Sequence, residues 1–337
     1  MKRLPNKANK IIWLYAAAIV LFLSAALFGV LFGSTDLSPA DIFKALTSGS
    51  MSSPESKIFW YVRLPRPLAA LLCGAALSVS GFVIQGVLAN RLASPSIIGV
   101  NAGAGLAVTL CASFGILGGW RLSLFSFLGA FATVLPVSLG AKRFGASRGT
   151  VVLIGVALGS LLGAFSDTVI TLNPTVGILR NDFKIGDFSF VSYQTLIPAA
   201  IVTLFALVVL FTLSNQLDVL TLGDEDARSL GMNTSLVRVV FLLLAALLAG
   251  AAVSVAGLIS FVGLLVPHAV RRMGVRSSRH LLPLCALFGG GFVAFCDLLS
   301  RVLFAPYEIP VGVILAFLGA PFFLYLLLRK KGGQPHA

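Results

Sequence analysis

Apolar residues run along this chain in long stretches, broken by short polar segments where the lysines and arginines collect. About 20 such residues suffice to cross the hydrocarbon layer as a helix. Ten stretches can be placed, near 11–33, 66–89, 96–115, 121–141, 150–171, 194–213, 235–257, 258–271, 280–300 and 309–328. The pattern predicts an all-α polytopic membrane protein, a single transmembrane domain over 1–337. The chain is 58% hydrophobic and 11% charged, whereas soluble domains carry about a quarter charged residues. The first stretch follows Lys2, Arg3, Lys7 and Lys10, as in a signal peptide. Its apolar run is longer than a signal core and lacks a clear small-x-small cleavage site, so it reads as a retained span.

The net charge is +13, but the basic residues sit at the ends of apolar stretches rather than on one face. That is the mark of membrane topology, not of nucleic-acid binding. With the N-terminus inside, 17 of the 25 lysines and arginines fall on inner segments and 8 on outer ones. Both termini are therefore expected in the cytoplasm. On the same side lies the segment 214–234, the longest hydrophilic break in the second half. It carries Asp218, Asp224, Glu225 and Asp226 against Arg228. Gly223 or Asp224 can start a short helix there, the carboxylates suit its first turn, and Gly231 can end it. Such a helix offers a handle to a soluble, basic-grooved partner; the plainer reading is a solvated connector.

An internal repeat is visible. Gly74-Ala-Ala-Leu-Ser-Val-Ser-Gly-Phe82 returns as Gly250-Ala-Ala-Val-Ser-Val-Ala-Gly-Leu258, six identities in nine. The copies lie on spans two and seven. An offset of five spans reverses direction through the membrane, so the repeat is inverted, relating spans 2–5 to spans 7–10. Inverted repeats mark transporters and place the substrate path at the repeat interface; chance recurrence of Gly and Ala is the alternative. Span eight has only about 13 residues, too short for a hydrocarbon layer of about 30 Å. It is either buried among other helices or preceded by non-helical backbone inside the membrane, which survives only within protein or along a cavity. Span five carries Gly155, Gly159 and Gly163 at close-packing spacing. Asp167, near its outer end, is a candidate path residue or an interfacial one.

The longest outer segment is 34–65, where Ser38 to Asp41 resembles a helix start. It ends in Arg63-Leu-Pro-Arg66, two arginines on a proline-stiffened rim. With Arg301 they are placed to meet carboxylates of an external partner, or else anchor the interface; Asp297 is spaced to pair with Arg301 within a helix. There is no Gly-Lys dipeptide and hence no Walker A loop, no His-Glu-x-x-His and no metal-ligand spacing. Cys73, Cys111, Cys285 and Cys296 lie within apolar stretches and read as small hydrophobes.

Several of these blocks together resemble one family. Arg63-Leu-Pro-Arg66, Gly81 to Gln85, Leu92-Ala-Ser-Pro95 with Gly99, Leu222 to Gly231, Ile259 to His268 with Arg271, Asp297 with Arg301, and Glu308-Ile-Pro-Val-Gly312 through Phe322 are similar to FecCD-type permeases, the membrane subunits of ABC importers for iron-siderophores, haem and cobalamin. The likeness covers nearly the whole chain in order. It implies a bacterial inner-membrane permease that is not itself an enzyme and binds no cofactor or metal, with ATP and Mg on separate cytoplasmic ATPase subunits. It also implies a second permease copy and an extracytoplasmic solute-binding protein. Leu222, Gly223, Asp224, Glu225, Asp226, Ala227, Arg228, Leu230 and Gly231 match the segment seated on the ATPase. Arg63, Arg66 and Arg301 match the arginines that meet the binding protein. Gln85, Asn90, Leu92, Asp167 and Pro267 are candidates for the path and its inner gate. Arg91 departs from a common proline, and Phe183, Gly186 and Asp187 depart from a common tryptophan and Gly-Ser pair. Among the cargoes a ferric siderophore is expected first, then haem or cobalamin. An ion-coupled secondary transporter is the rival from another class.

Overall fold

The computed structural model describes residues 7–33, 53–143 and 148–329, together with 42, 44 and 45. The helix start expected at Ser38 to Asp41 lies outside the described residues. Every regular element among them is helical. Helix α1 spans Lys7–Leu31. A short α2, Pro54–Ile58, passes through a π-helical turn, Phe59–Arg63, into α3, Pro65–Val87. A 3-10 turn, Pro95–Ile98, precedes α4, Val100–Ser113; α5 is Gly119–Arg143, α6 Arg148–Leu172 and α7 Val176–Ile185. Then come α8, Tyr193–Thr212, α9, Ser214–Leu222, α10, Asp224–Ser229, and α11, Thr234–Ala256. The chain closes with α12, Val262–Arg272, α13, Ser278–Val302, and α14, Val311–Arg329.

A helix stands at each of the ten predicted stretches. Among the described residues, seven segments are long and apolar enough to cross a membrane, α4 and α14 supply shorter apolar helices, and α12 is shorter still and ends in Arg271 and Arg272. Helix α7 lies where no span was expected, because its polar run Arg180-Asn-Asp-Phe-Lys184 carries no long apolar pattern.

Helix α3 is the axis of the structure, with almost all of its residues buried. Its Gly, Ala and Ser residues let neighbours approach to backbone contact. A Cβ on Gly81 would sit 1.9 Å from the Gly263 carbonyl oxygen, and one on Gly74 would sit 2.2 Å from that of Gly289. Against α3 runs α11, antiparallel, because the Cys73 thiol donates to the Ala252 carbonyl at 3.6 Å and the Ser80 hydroxyl to that of Ala245 at 2.6 Å. These are the two helices of the sequence repeat.

The packing carries the repeat further. Helix α3 lies on α13 as α11 lies on α5, α4 meets α5 and α6 as α12 meets α13 and α14, and α1 borders α3 as α8 borders α11. Each short helix after the repeated one also starts from a left-handed residue, Gly99 before α4 (φ 87°) and Phe261 before α12 (φ 67°). Glycine holds that setting freely, whereas an aromatic residue costs about 1–3 kcal/mol. The Phe261 ring rests on Gly319 of α14, where a Cβ would fall 2.4 Å from the ring.

Span eight is short: helix α12 has 11 residues, and the backbone before it, residues 257–261, is not helical. Their backbone is satisfied inside the protein: Leu258 N–H donates to the Phe183 carbonyl at 2.8 Å, and the Ala256 carbonyl accepts from Asp187 N–H at 2.9 Å. On α6 only Gly155 is packed, its Cβ position 2.2 Å from the Ile97 carbonyl. Gly163 has nothing within 4 Å, so the glycine stripe is not used as a whole within this chain. All four cysteines are buried and unpaired.

Candidate functional site

The segment 214–234 forms two helices hinged at Gly223, whose φ of 134° is a glycine setting. Helix α10 ends as predicted at Gly231 (φ 82°): Gly231 N–H donates to the Arg228 carbonyl at 2.9 Å, and Met232 N–H to that of Ala227 at 3.0 Å. This pairing satisfies the last carbonyls of the helix. Ala227 is its one buried residue and pins it to the body. Glu225, Asp226 and Arg228 are exposed, flanked by Leu222 at 61% and Leu230 at 66% exposure. Two exposed leucines around carboxylates make a mixed apolar and acidic face.

Asp224 plays a different part from its acidic neighbours. Both of its carboxylate oxygens accept from Arg238 Nη2 at 2.8 Å, and Oδ1 accepts from Arg148 Nη2 at 3.1 Å. Partial burial pushes this carboxyl up, but hydrogen bonding and charge from Arg238, then charge and hydrogen bonding from Arg148, hold it below its ordinary value. Asp218 on α9 accepts from the Ser278 backbone N–H at 2.9 Å, at the start of α13. The acidic segment is thus tied to α6, α11 and α13. No spacing in the sequence linked Arg148 or Arg238 to Asp224.

The proposed gate residues fall at the same end of the molecule, since Leu217 and Thr221 of α9 lie against Gly86. Gln85 is buried and bridges two helices. Its amide donates to the Gly263 carbonyl at 3.0 Å, and its side-chain oxygen accepts from Arg271 Nη1. Asn90 is exposed, its side-chain oxygen accepting from Leu92 N–H at 2.9 Å in a tight turn, with Leu92 at 47% exposure. Pro267 is buried within α12. Asp167 is not with them. It forms a surface ion pair with Arg180 of α7 at 2.6 Å, with its own side chain 70% exposed.

At the other end, the three arginines expected to face outward point inward. Arg63, Arg66 and Arg301 are 4%, 7% and 3% exposed. Arg63 Nη1 donates to the Leu31 carbonyl at 2.8 Å, and Arg301 Nη1 to those of Gly29 and Phe32 at 3.2 Å. They satisfy carbonyls left over at the C-terminal end of α1, where a cation suits the helix dipole. Arg66 Nε donates to Asp297 Oδ1 at 3.0 Å and Nη1 to Glu308 Oε2 at 2.6 Å, while Nη2 lies 3.7 Å from Asp187 Oδ1. Asp297, fully buried, also pairs with Arg301 at 3.0 Å at the predicted four-residue spacing. Burial here follows from charge compensation, since Asp187, Asp297 and Glu308 face the guanidiniums of Arg66 and Arg301. Asp187 and Glu308 belong to this cluster and had no sequence signal as partners of Arg66. Between the same loops and α14 runs a groove of about 590 Å³, lined among others by Lys184, Leu258, Phe261 and Phe317.

Compared with known proteins, the chain matches the FecCD transport family over residues 18–329. It is 36% identical to the Fe(3+)-citrate import system permease protein YfmD of Bacillus subtilis, over 97% of both chains. It is 36% identical to the vitamin B12 import system permease protein BtuC of Yersinia pseudotuberculosis, over 83% of this chain and 84% of that one. Among solved structures it resembles one described as an inward-facing conformation of a metal-chelate type ABC transporter. The TM-score is 0.81 at 28% identity, over 94% of this chain and 98% of that one.

Proposed function

Because the chain belongs to the FecCD transport family, we propose that it carries an iron(III)-siderophore across the bacterial cytoplasmic membrane, delivered by an extracytoplasmic binding protein. It is a permease subunit of a metal-chelate type ABC importer. In this reading both termini and the segment 214–234 are cytoplasmic. Two ATPase subunits hydrolyse ATP, and a second permease copy completes the path.

The observation that carries the reading is the two-arginine seat of Asp224. A charge that only kept a connector soluble would not be clamped between α6 and α11. Clamped, it holds α10 at a set angle and leaves Leu222, Glu225, Asp226 and Leu230 outward for the ATPase. Closure of the ATPase pair pushes this face, and the two inverted halves rock about the α3–α11 contact so that the path opens alternately. The non-helical stretch 257–261 and the groove beside Phe261 border that path.

Docking at the outer face proceeds by exchange. Arg66 already holds Glu308 and Asp187, so acidic residues of a binding protein reach it by replacing these carboxylates. A ferric siderophore is favoured because similarity to an Fe(3+)-citrate permease extends over nearly the full chain, while that to a vitamin B12 permease covers 83% of it. Cobalamin and haem are the alternatives.

The test is uptake by proteoliposomes holding this chain, its ATPase and its binding protein, offered ferric siderophores, haem and cobalamin in turn. ATP-dependent import of a ferric siderophore is expected. Uphill uptake by this chain alone, driven by an ion gradient, would replace the reading with that of a secondary transporter.

A further inference from the structure

We propose that the end of α12 nearest α9 and α10 holds a site for the phosphate headgroup of an anionic membrane lipid, seated among Arg91, Arg271, Arg272 and Arg276. These four arginines, with His268, line a concavity of about 430 Å³ floored by Val275 and Leu281. Among the described residues, none of the four lies in an ion pair with a carboxylate. The cations at the opposite end behave differently, with Arg66 and Arg301 both matched by acids.

The local backbone builds the site. Arg271 is held rigidly, donating to Gln85 and lying 5.0 Å over the Phe82 ring. Arg91 is presented by a turn in which Ala89 takes a left-handed setting (φ 46°) and Asn90 accepts from Leu92 N–H. Arg91 and Arg271 come close enough to repel each other. Past α12 the chain reverses at Gly274 (φ 89°) and brings Arg276 back to the rim. Four guanidiniums converging on one hollow without a counter-charge raise the local potential, and an anion with several acceptor oxygens lowers it.

Position favours a lipid over a soluble phosphate. The Nζ of Lys10, at the start of α1, lies 3.1 Å from the Cβ position of Gly274. Next along α1, Ile12 and Trp13 are 65% and 75% exposed, the face a bilayer covers. The hollow thus opens beside a lipid-facing helix at headgroup depth, where basic pockets between helices take anionic headgroups. A general excess of inner arginine accounts for their number, but not for their convergence on a concave floor.

The experiment uses the full chain purified in neutral detergent with phosphatidylcholine. Cardiolipin or phosphatidylglycerol is titrated, with bound lipid read by native mass spectrometry and the unfolding midpoint recorded in parallel. Inorganic phosphate and pyrophosphate form the soluble arm. Anionic lipid is expected to be retained and to raise the midpoint. Each arginine contributes a factor of about five, so Arg91→Gln with Arg276→Gln should weaken retention about 25-fold. Arg279→Gln, exposed and outside the hollow, should leave retention unchanged. Equal protection by pyrophosphate, equal retention of phosphatidylcholine, or an equal loss with Arg279→Gln would each overturn the proposal.

Discussion

Replacing Asp224 by asparagine keeps the shape of the side chain and removes its charge. In the native chain the carboxylate takes two contacts from Arg238 at 2.8 Å and one from Arg148 at 3.1 Å. Shielded charge-assisted bonds contribute roughly 1.5–3 kcal/mol each. The side chains of Asp224 and Arg148 are 34% and 26% exposed, so solvent screens much of that; Arg238, at 5%, is shielded. A net loss of roughly 1.5 kcal/mol remains, on the order of tenfold in the ratio of seated to unseated α10. The assay is ATP hydrolysis by the assembled importer, stimulated by ligand-loaded binding protein, at equal abundance of the chain in the membrane. Stimulated hydrolysis should fall on the order of tenfold, while unstimulated hydrolysis changes little. If the variant stayed within about twofold of the wild type, the seat would not be transmitting force and the coupling argument would fail.

Glu225→Lys should also lower stimulated hydrolysis, but through the contact face rather than the seat, with membrane insertion intact by protease protection. Asp297→Ala leaves buried Arg301 without its paired carboxylate and Arg66 with only Glu308 and Asp187, and should cost about 3–5 kcal/mol, read by denaturant titration in detergent. Asp167→Ala, losing an exposed pair, should cost under about 1 kcal/mol. Gly81→Ala forces a methyl into the Gly263 carbonyl and should destabilise by about 3 kcal/mol or prevent assembly. Gly105→Ala, inside α4 with nothing within 4 Å, should be neutral or stabilise by up to about 1 kcal/mol in the same titration. Because the Asp224 carboxyl is held below its ordinary 3.8, its stabilising effect is fully present above that value and is lost only as pH falls through the lower folded value. The ratio of wild-type to Asp224→Asn hydrolysis should therefore stay constant between about pH 5 and 8.

The helices were legible because each apolar run is long compared with the polar breaks, and the repeat because Gly74 and Gly250 open nearly identical words. The stop at Gly231 and the Asp297–Arg301 pair were legible too, since both are local patterns of a few residues. What stayed hidden is long-range. Arg66 finds Asp187, Asp297 and Glu308 on three separate segments, and Asp224 finds Arg148 on a helix far back in the chain. A sequence shows that such charges exist but not which of them meet. Arg63 and Arg301 read as outward-facing because they flank apolar runs; in the folded chain they turn back to the end carbonyls of α1. Helix α7 escaped notice because its length and polarity match no span.

The seat of Asp224 ties together two helices from opposite halves of the repeat. Arg148 opens α6, which closes the first half, and Arg238 stands in the opening turns of α11, which begins the repeated unit of the second. One carboxylate is therefore a yoke across both: a load on α10 cannot tug one half without tugging its counterpart. In the coupling proposed above, a push on α10 is divided at this anion between two pseudo-symmetric bodies that also pack along α3 and α11.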